Sequence, residues 1–389
     1  RRSALWAGLH WNHGDIDRFI ELKNWIPEVR ALKEQDFNFP APMDGTNISI
    51  ILDDDFFLAY NNTEHKDHKL AHSVYWRVIK QMCKTGEPGF SIDVGVNAGE
   101  HLRNACTEIT STDDNDVCNL GSINLANVAT KEEFEELVSL STLFLLCGTL
   151  YSALPLEELK ATREKNRRLG LGLMGIHEWL LTREYSYEQN TEMQEWLEIY
   201  TKSDQYAETW SKSLNISKPI KTRAIAPTGT ISIIAETTSG IEPLFCVAFK
   251  RRYLKGTVWH SQYVIDATAK RIIDKGVDPY KIEDAYMLAM DVEKRIAFQS
   301  FVQQYVDHSI SSTINLPTWG SAFNNEETLL DFGNTLMKYL PTLRGITVYP
   351  DGSRGGQPIT SVDYYEALKN EGLEYMEFGN ESVCIGGVC

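Results

Sequence analysis

Thr46-Asn47-Ile48-Ser49-Ile50-Ile51-Leu52, followed at once by Asp53-Asp54-Asp55, is an aliphatic, β-branched run that stops in three carboxylates. The run reads as a short buried strand. The carboxylates read as the start of a helix, where the partial positive charge of the N-terminus favours them. Upstream, Ala4 to His10 is a second strand, Asp15 to Leu32 a helix with Asp15 as N-cap, and Lys33 to Asp44, rich in Phe and Pro, a loop. Downstream, a helix covers about Lys69 to Thr85 and closes on Gly86-Glu87-Pro88-Gly89. Short strands alternating with amphipathic helices continue to Arg354, which predicts an α/β fold with a parallel or mixed sheet and helical crossovers. Beyond Gly355 the pattern thins to a short helix near Ser361 to Glu371 and a tail ending Cys384-Ile385-Gly386-Gly387-Val388-Cys389, which reads as flexible.

Composition narrows the function classes. At 389 residues the chain suits one large unit with a tail. Lys and Arg total 38 against 54 Asp and Glu, a net charge of −16, so non-specific grip on a nucleic-acid backbone is disfavoured while local pockets for small phosphates remain allowed. No apolar run approaches the roughly 20 residues of a membrane helix, the longest candidate from Leu137 to Leu154 being broken by Ser, Thr, Gly and Cys. Seven cysteines are too sparse for a disulfide scaffold, and no signal peptide opens the chain, so the expected compartment is the cytoplasm. The chain starts Arg1-Arg2-Ser3-Ala4, without Met and already inside apparent structure, so a piece lacking its N-terminal part is expected.

Three clusters carry chemistry. In Asn104-Ala105-Cys106-Thr107-Glu108, an extended backbone would project Asn104, Cys106 and Glu108 to one side. That face would hold a thiol for nucleophilic or one-electron work, a hydrogen-bonding amide and a general base or acid. Cys118 follows twelve residues later, and neither thiol has a second Cys or His at zinc-ligand spacing. Read alone, Cys106 is equally a small buried hydrophobe. The second cluster, Pro227-Thr228-Gly229-Thr230-Ile231-Ser232, offers N–H and O–H groups to an anion at a helix start but lacks the spacing of a Walker loop; a plain capped helix fits it as well. The third is the terminal pair, Cys384 and Cys389, whose spacing fits either a thiol-disulfide shuttle or an accidental pair. Cys83, Cys147 and Cys246 sit in apolar surroundings and read as inert.

Taken in order, these motifs resemble the catalytic (large) subunit of ribonucleotide reductase. The resemblance runs almost end to end. It rests on Arg1-Arg2-Ser3-Ala4, Thr46 to Ile50, Gly86 to Gly89, the Cys106 and Cys118 segments, Asn166-Arg167-Arg168-Leu169-Gly170-Leu171-Gly172, Pro227 to Phe245, and Val306 to Pro317. It implies a ten-stranded α/β barrel with its N-terminal strands missing, spanning residues 1–355, a central loop carrying the radical cysteine, and a tail over residues 356–389. Cys106 would become the thiyl radical that removes hydrogen from the ribose 3′ carbon, Glu108 the base at the 3′ hydroxyl, and Asn104 a ligand of the sugar hydroxyls. Cys118 would be one of two thiols that reduce the 2′ position, its partner lying upstream of Arg1. Pro227, Thr228, Gly229, Thr230 and Ser232 would hold the substrate phosphates, and Cys384 with Cys389 would re-reduce the active site before thioredoxin or glutaredoxin resets them. A deoxynucleotide or ATP effector, acting through the Lys33 to Asp44 loop, and a homodimer or a monomer complete the implied partners.

The radical source is read from Gly345-Ile346-Thr347-Val348-Tyr349-Pro350. Forms fed by a separate metal-containing small subunit usually carry two adjacent tyrosines there. Tyr349 is followed by Pro, so the segment is more similar to the adenosylcobalamin-dependent form or to minimal phage reductases. Tyr349 then stands on the radical path or beside the cofactor. Two other readings stay in view: a glycyl-radical enzyme, whose C-terminal glycine loop the tail does not match, and an incomplete or split reductase acting as a nucleotide-binding module.

Overall fold

The computed structural model describes residues 4–35, 39–256, 258–353, 359–378 and 381–384. In chain order the strands are β1 (Leu5–His10), β2 (Thr46–Asp53), β3 (Gly89–Asp93), β4 (Leu102–Arg103), β5 (Thr110–Ser111), β6 (Asn119–Asn124), β7 (Leu169–Met174), β8 (Ala248–Lys255), β9 (Val258–Ile265), β10 (Thr313–Leu316), β11 (Gly345–Pro350), β12 (Ile359–Ser361), β13 (Glu374–Phe378) and β14 (Glu381–Cys384).

One sheet runs β1-β2-β3-β11-β10. Its pairs are parallel except β3 with β11, where Gly345 faces Ser91 and Ile346 faces Phe90 in antiparallel register. Gly89 makes that seam close enough: a Cβ there would lie 2.5 Å from the Ile346 carbonyl oxygen. A second parallel ladder joins β6 to β7 and continues through a parallel bridge between Leu171 and Arg223 to another between Ile225 and Ile310. Residues 308–311 lead directly into β10, so the two ladders share one continuous stretch of chain. The edge-to-edge order is therefore β1, β2, β3, β11, 308–316, 222–226, β7, β6.

Five neighbouring parallel strands thus meet three of opposite direction across one antiparallel seam. Of the expected ten-stranded barrel lacking its N-terminal strands, the described residues give these eight as an open arrangement in which β1 and β6 are outer edges. The three-strand part is covered by the helix His68–Thr85, whose Val74, Tyr75, Val78 and Ile79 pack with Ile50, Phe90 and Ile346. The five-strand part packs Leu169, Leu171 and Leu173 against Trp179, Trp196, Tyr200 and Phe298. Each fully buried side chain of this kind contributes about 1.5–3 kcal/mol.

Several local expectations change. The helix expected over Asp15 to Leu32 is two helices, Ile16–Ile20 and Pro27–Gln35, because Pro27 lacks an N–H and tolerates only a helix start. The apolar stretch near Leu137 lies in an unbroken 21-residue helix, Lys131–Tyr151, apolar and long enough to cross a membrane by length and composition. Its Phe134, Val138, Leu145 and Leu146 are nevertheless core residues packed with β6 and β7. The short helix expected near Ser361 to Glu371 is present as Tyr364–Lys369, whereas the chain on either side of it contributes β12, β13 and β14 to an antiparallel sheet in the order β12-β8-β9-β13-β14. Alternation in Glu374-Tyr375-Met376-Glu377-Phe378 supplies the strand period that the thinning of helical pattern concealed.

Candidate active site

Cys106 sits at the tip of a short hairpin. β4 and β5 pair Leu102 with Ser111 and Arg103 with Thr110, leaving residues 104–109 as the turn. The Thr107 N–H donates to the Asn104 carbonyl at 3.0 Å, and Thr107 has φ +68°, a left-handed conformation that costs a β-branched residue energy. The turn separates side chains that an extended segment would have kept together. Cys106 is exposed, whereas Glu108 is only 1% exposed. The loop is held from three sides: Asn47 Nδ2 donates to the Ala105 carbonyl at 2.6 Å, the Ile109 N–H to Asn104 Oδ1 at 3.1 Å, and the Ser309 N–H to the Glu108 carbonyl at 2.9 Å.

Electrostatics couple the predicted groups. Burial pushes the Glu108 carboxyl above its ordinary range, with its own backbone N–H and the Asn104 amide pulling the other way. Its Oε2 is buried with no hydrogen-bond partner among the described residues. Burial and then the Glu108 charge raise the Cys106 thiol. Burial followed by the same charge raises Cys118, whose Sγ is 3.6 Å from the Asn119 carbonyl just before β6. One carboxylate therefore acts on both thiols, and the structure brings Cys106, Glu108 and Cys118 into one electrostatic neighbourhood. A thiol held protonated is unsuited to resting nucleophilicity but retains the S–H hydrogen that one-electron chemistry uses. Buried Cys83 is raised to about 12 and buried Cys246 is also raised, consistent with inert thiols.

The Pro227 to Ser232 segment forms the expected helix start. Thr228 has φ +54°, its Oγ1 accepts from the Gly240 N–H at 2.8 Å, and the helix Gly229–Ile234 follows. Gly229 and Thr230 are exposed, and Ser232 Oγ lies 2.7 Å from Ser239 Oγ. Two cavities adjoin here. One, of about 230 Å³, is lined by Cys106, Thr107, Asn47, Ser311, Thr313 and Tyr349. The other, of about 480 Å³, is lined by Ser232, Ser239, Glu242, Thr313, Asn315 and Tyr349. Thr313 and Tyr349 border both, with Cys106 on the first cavity and Ser232, at the end of the Pro227 to Ser232 segment, on the second. A third, largely apolar cavity of Phe245, Ala285, Tyr286 and Met290 also reaches Tyr349.

Residues 1–222 and 220–340 match the ribonucleotide reductase barrel domain. The chain belongs to that family. Among relatives of the reductase family, it is 26% identical to the vitamin B12-dependent ribonucleoside-diphosphate reductase of Thermoplasma acidophilum, covering 97% of this chain and 55% of that protein. It is 25% identical to the protein of the same description from Mycobacterium tuberculosis, covering 93% and 58%. The chain thus spans little more than half the length of these curated relatives. A crystal structure of a B12-dependent class II ribonucleotide reductase superposes with a TM-score of 0.70 at 17% identity, over 94% of this chain and 53% of that one, which shows a shared fold.

Within the reductase barrel, sequence reading missed the groups that hold the hairpin. Glu100 is buried and accepts from Lys221, from Arg344 Nη2 at 2.9 Å and from Thr110 Oγ1 at 2.8 Å. Burial would raise its carboxyl, but Lys221, Arg344 and Thr110 hold it at about 2. Glu242, quoted only as part of a motif, is ion-paired with buried Arg295 and accepts from the Thr313 N–H at 2.7 Å at the cavity wall. Glu242 is a lone carboxylate in an apolar run, Ile241 to Phe245, which does not say what it faces, and Glu100, between Gly99 and His101, carries no comparable signal. At the C-terminus, Cys384 lies on β14 in register with Tyr375, and Cys389 lies outside the described residues.

Proposed function

We propose that this chain carries the radical half of a ribonucleotide reductase active site, reducing ribonucleotides to 2′-deoxyribonucleotides for DNA synthesis. The observation that carries the reading is the exposed Cys106 on the same turn as buried Glu108, whose Oε2 has no hydrogen-bond partner among the described residues, with Cys106 and Ser232 on two cavities that share Thr313 and Tyr349. In this role the Cys106 sulfur, as a thiyl radical, takes hydrogen from the ribose 3′ carbon. Glu108 Oε2 accepts the 3′-hydroxyl proton, and burial, which favours the protonated acid, suits it to that task. Asn104 orients the sugar hydroxyls, Cys118 with a second thiol from outside this chain supplies two electrons at the 2′ position, and Thr228, Gly229, Thr230 and Ser232 hold phosphate. Cys384 and Cys389 then return the disulfide to thiols, with thioredoxin or glutaredoxin as reductant.

Adenosylcobalamin fits this site as radical source. Cys106 is open to a cavity rather than buried behind side chains, Tyr349 lies at the junction with an apolar cavity, and Pro350 stands where a second tyrosine would be needed for transfer from a small subunit. Bound there, the cofactor supplies the homolysis that oxidises the thiol. The chain's own residues keep that thiol protonated and exclude bulk water from Glu108. Nucleotide effectors act through the segment of residues 33–44, residues 1–355 form the reductase barrel unit, and the compartment is the cytoplasm.

The test is deoxynucleotide formation from a ribonucleoside di- or triphosphate with adenosylcobalamin and dithiothreitol, in the chain fused to the upstream segment of a curated relative. Cys106→Ser abolishes it and leaves nucleotide binding intact. Turnover in that variant overturns the radical assignment, and turnover only with a metal-loaded small subunit overturns the cobalamin one.

A further inference from the structure

Beyond the hairpin tip, the structure holds a buried threonine at the start of β5. Thr110 is fully buried and lies two residues after Glu108. Its N–H donates to His308 Nδ1 at 3.2 Å, and its hydroxyl donates to Glu100 Oε2 at 2.8 Å. Each of its partners is itself fixed. Glu100 takes Lys221 and Arg344 on the same oxygen. The His308 N–H donates to the Arg223 carbonyl at 3.0 Å, and the His308 carbonyl accepts from Gln303 Nε2 at 3.0 Å.

The ring of His308 can only accept from Thr110 as the neutral tautomer with its proton on Nε2. Burial, then Lys221, Arg168, Arg344 and Arg103, hold it neutral by pushing its proton affinity well below the ordinary histidine range; Glu100 and Asp307 are the acidic groups nearby. Three consecutive residues are therefore tied to three separate anchors: Glu108 to Ser309, Ile109 to Asn104 and Thr110 to His308. A single residue shift along this strand would turn Glu108 outward, since successive side chains alternate.

We infer that Thr110 is a positioning residue, clamped between Glu100 and His308, that sets where the Glu108 carboxylate stands relative to Cys106. The inference deepens the reductase reading but is read by thiol chemistry and not by turnover, so the two fail separately. Thr110→Val keeps the shape and removes the hydroxyl, while Thr110→Ser keeps the hydroxyl.

In the 389-residue chain at pH 8.5, alkylation of Cys106 by iodoacetamide, followed by peptide mass spectrometry, should run about fivefold faster in Thr110→Val, because a displaced carboxylate no longer disfavours the thiolate. Thr110→Ser should stay within about twofold of the unsubstituted chain, with melting temperatures within a few degrees and Cys83 and Cys246 protected in all three. Equal Cys106 rates in all three chains, or Ser as fast as Val, overturns the inference. Should Cys83 and Cys246 also react in the Val variant, hydrogen exchange of the unsubstituted chain decides. A peptide over 108–111 exchanging about tenfold more slowly than 112–117 supports the clamp, and equal exchange overturns it.

Discussion

The backbone N–H of Ser309 donates to the carbonyl of Glu108 at 2.9 Å. The residue bearing the buried carboxylate is thereby bonded to the stretch of chain that links the two ladders of the barrel, so its distance from Cys106 is a property of the whole fold. Glu108→Gln keeps this bond and removes the charge. The Cys106 thiol, raised first by burial and then by Glu108, should fall in pKa and alkylate at least about fivefold faster at pH 8, the ceiling for any variant that only displaces the carboxylate. A pH–rate profile that does not move would place the Glu108 charge too far away to matter.

Gly229 has no atom within 4 Å of where a Cβ would stand. Gly229→Asp should therefore fold normally while placing a negative charge at the helix start. Calorimetric binding of a ribonucleoside diphosphate should weaken at least about tenfold, whereas Gly229→Ala should change it little. Unchanged affinity in the Asp variant would remove this segment from the phosphate site.

His177 is buried, accepts from the Leu244 N–H at 2.9 Å through Nδ1, and is lowered to about 3 by burial. The unfolded chain takes up this proton near pH 6.5 and the folded chain resists it until about 3. Between those values the unfolded state binds more protons, so stability rises with pH and is lost on acidification, by up to about 1.4 kcal/mol per pH unit for this group. Urea midpoints at pH 7, 6 and 5 should decline for the unsubstituted chain and decline less for His177→Gln. His308, held neutral in the same way, adds to the slope in both.

At the antiparallel seam, Gly89→Ala should cost about 1–3 kcal/mol, because the added methyl meets the Ile346 carbonyl and a backbone group cannot rotate away. Denaturant unfolding measures this directly. Gly14→Ala, where no atom lies within 4 Å, is the control and should leave the midpoint within about 0.5 kcal/mol.

Local pattern was sufficient for the elements that carry their own signal. β2 and the helix after it are legible because seven residues without Gly or Pro precede three carboxylates, and Asp53 does cap that helix by accepting from the Phe56 N–H. The helix ending at Gly86 was likewise legible from its glycine stop. Pro27 was present in the sequence but outweighed by the helical pattern around it. The tail hairpin was hidden because two short strands need β9 beside them before they have anything to pair with.

Residue type and spacing by themselves singled out the candidate groups: a thiol, an amide and a carboxylate within five residues, and a hydroxyl-rich helix start far downstream. Only the tertiary structure decided that Thr107 turns Cys106 outward while Glu108 stays buried, that Glu108 acts on Cys118 as well, and that Glu100 and His308 hold Thr110 behind them. The physical reason is reach. A side chain's identity is local, but burial and charge are set by whatever the fold packs against it, and here those neighbours range from Glu100, 10 residues from Thr110, to His308, 198 residues away.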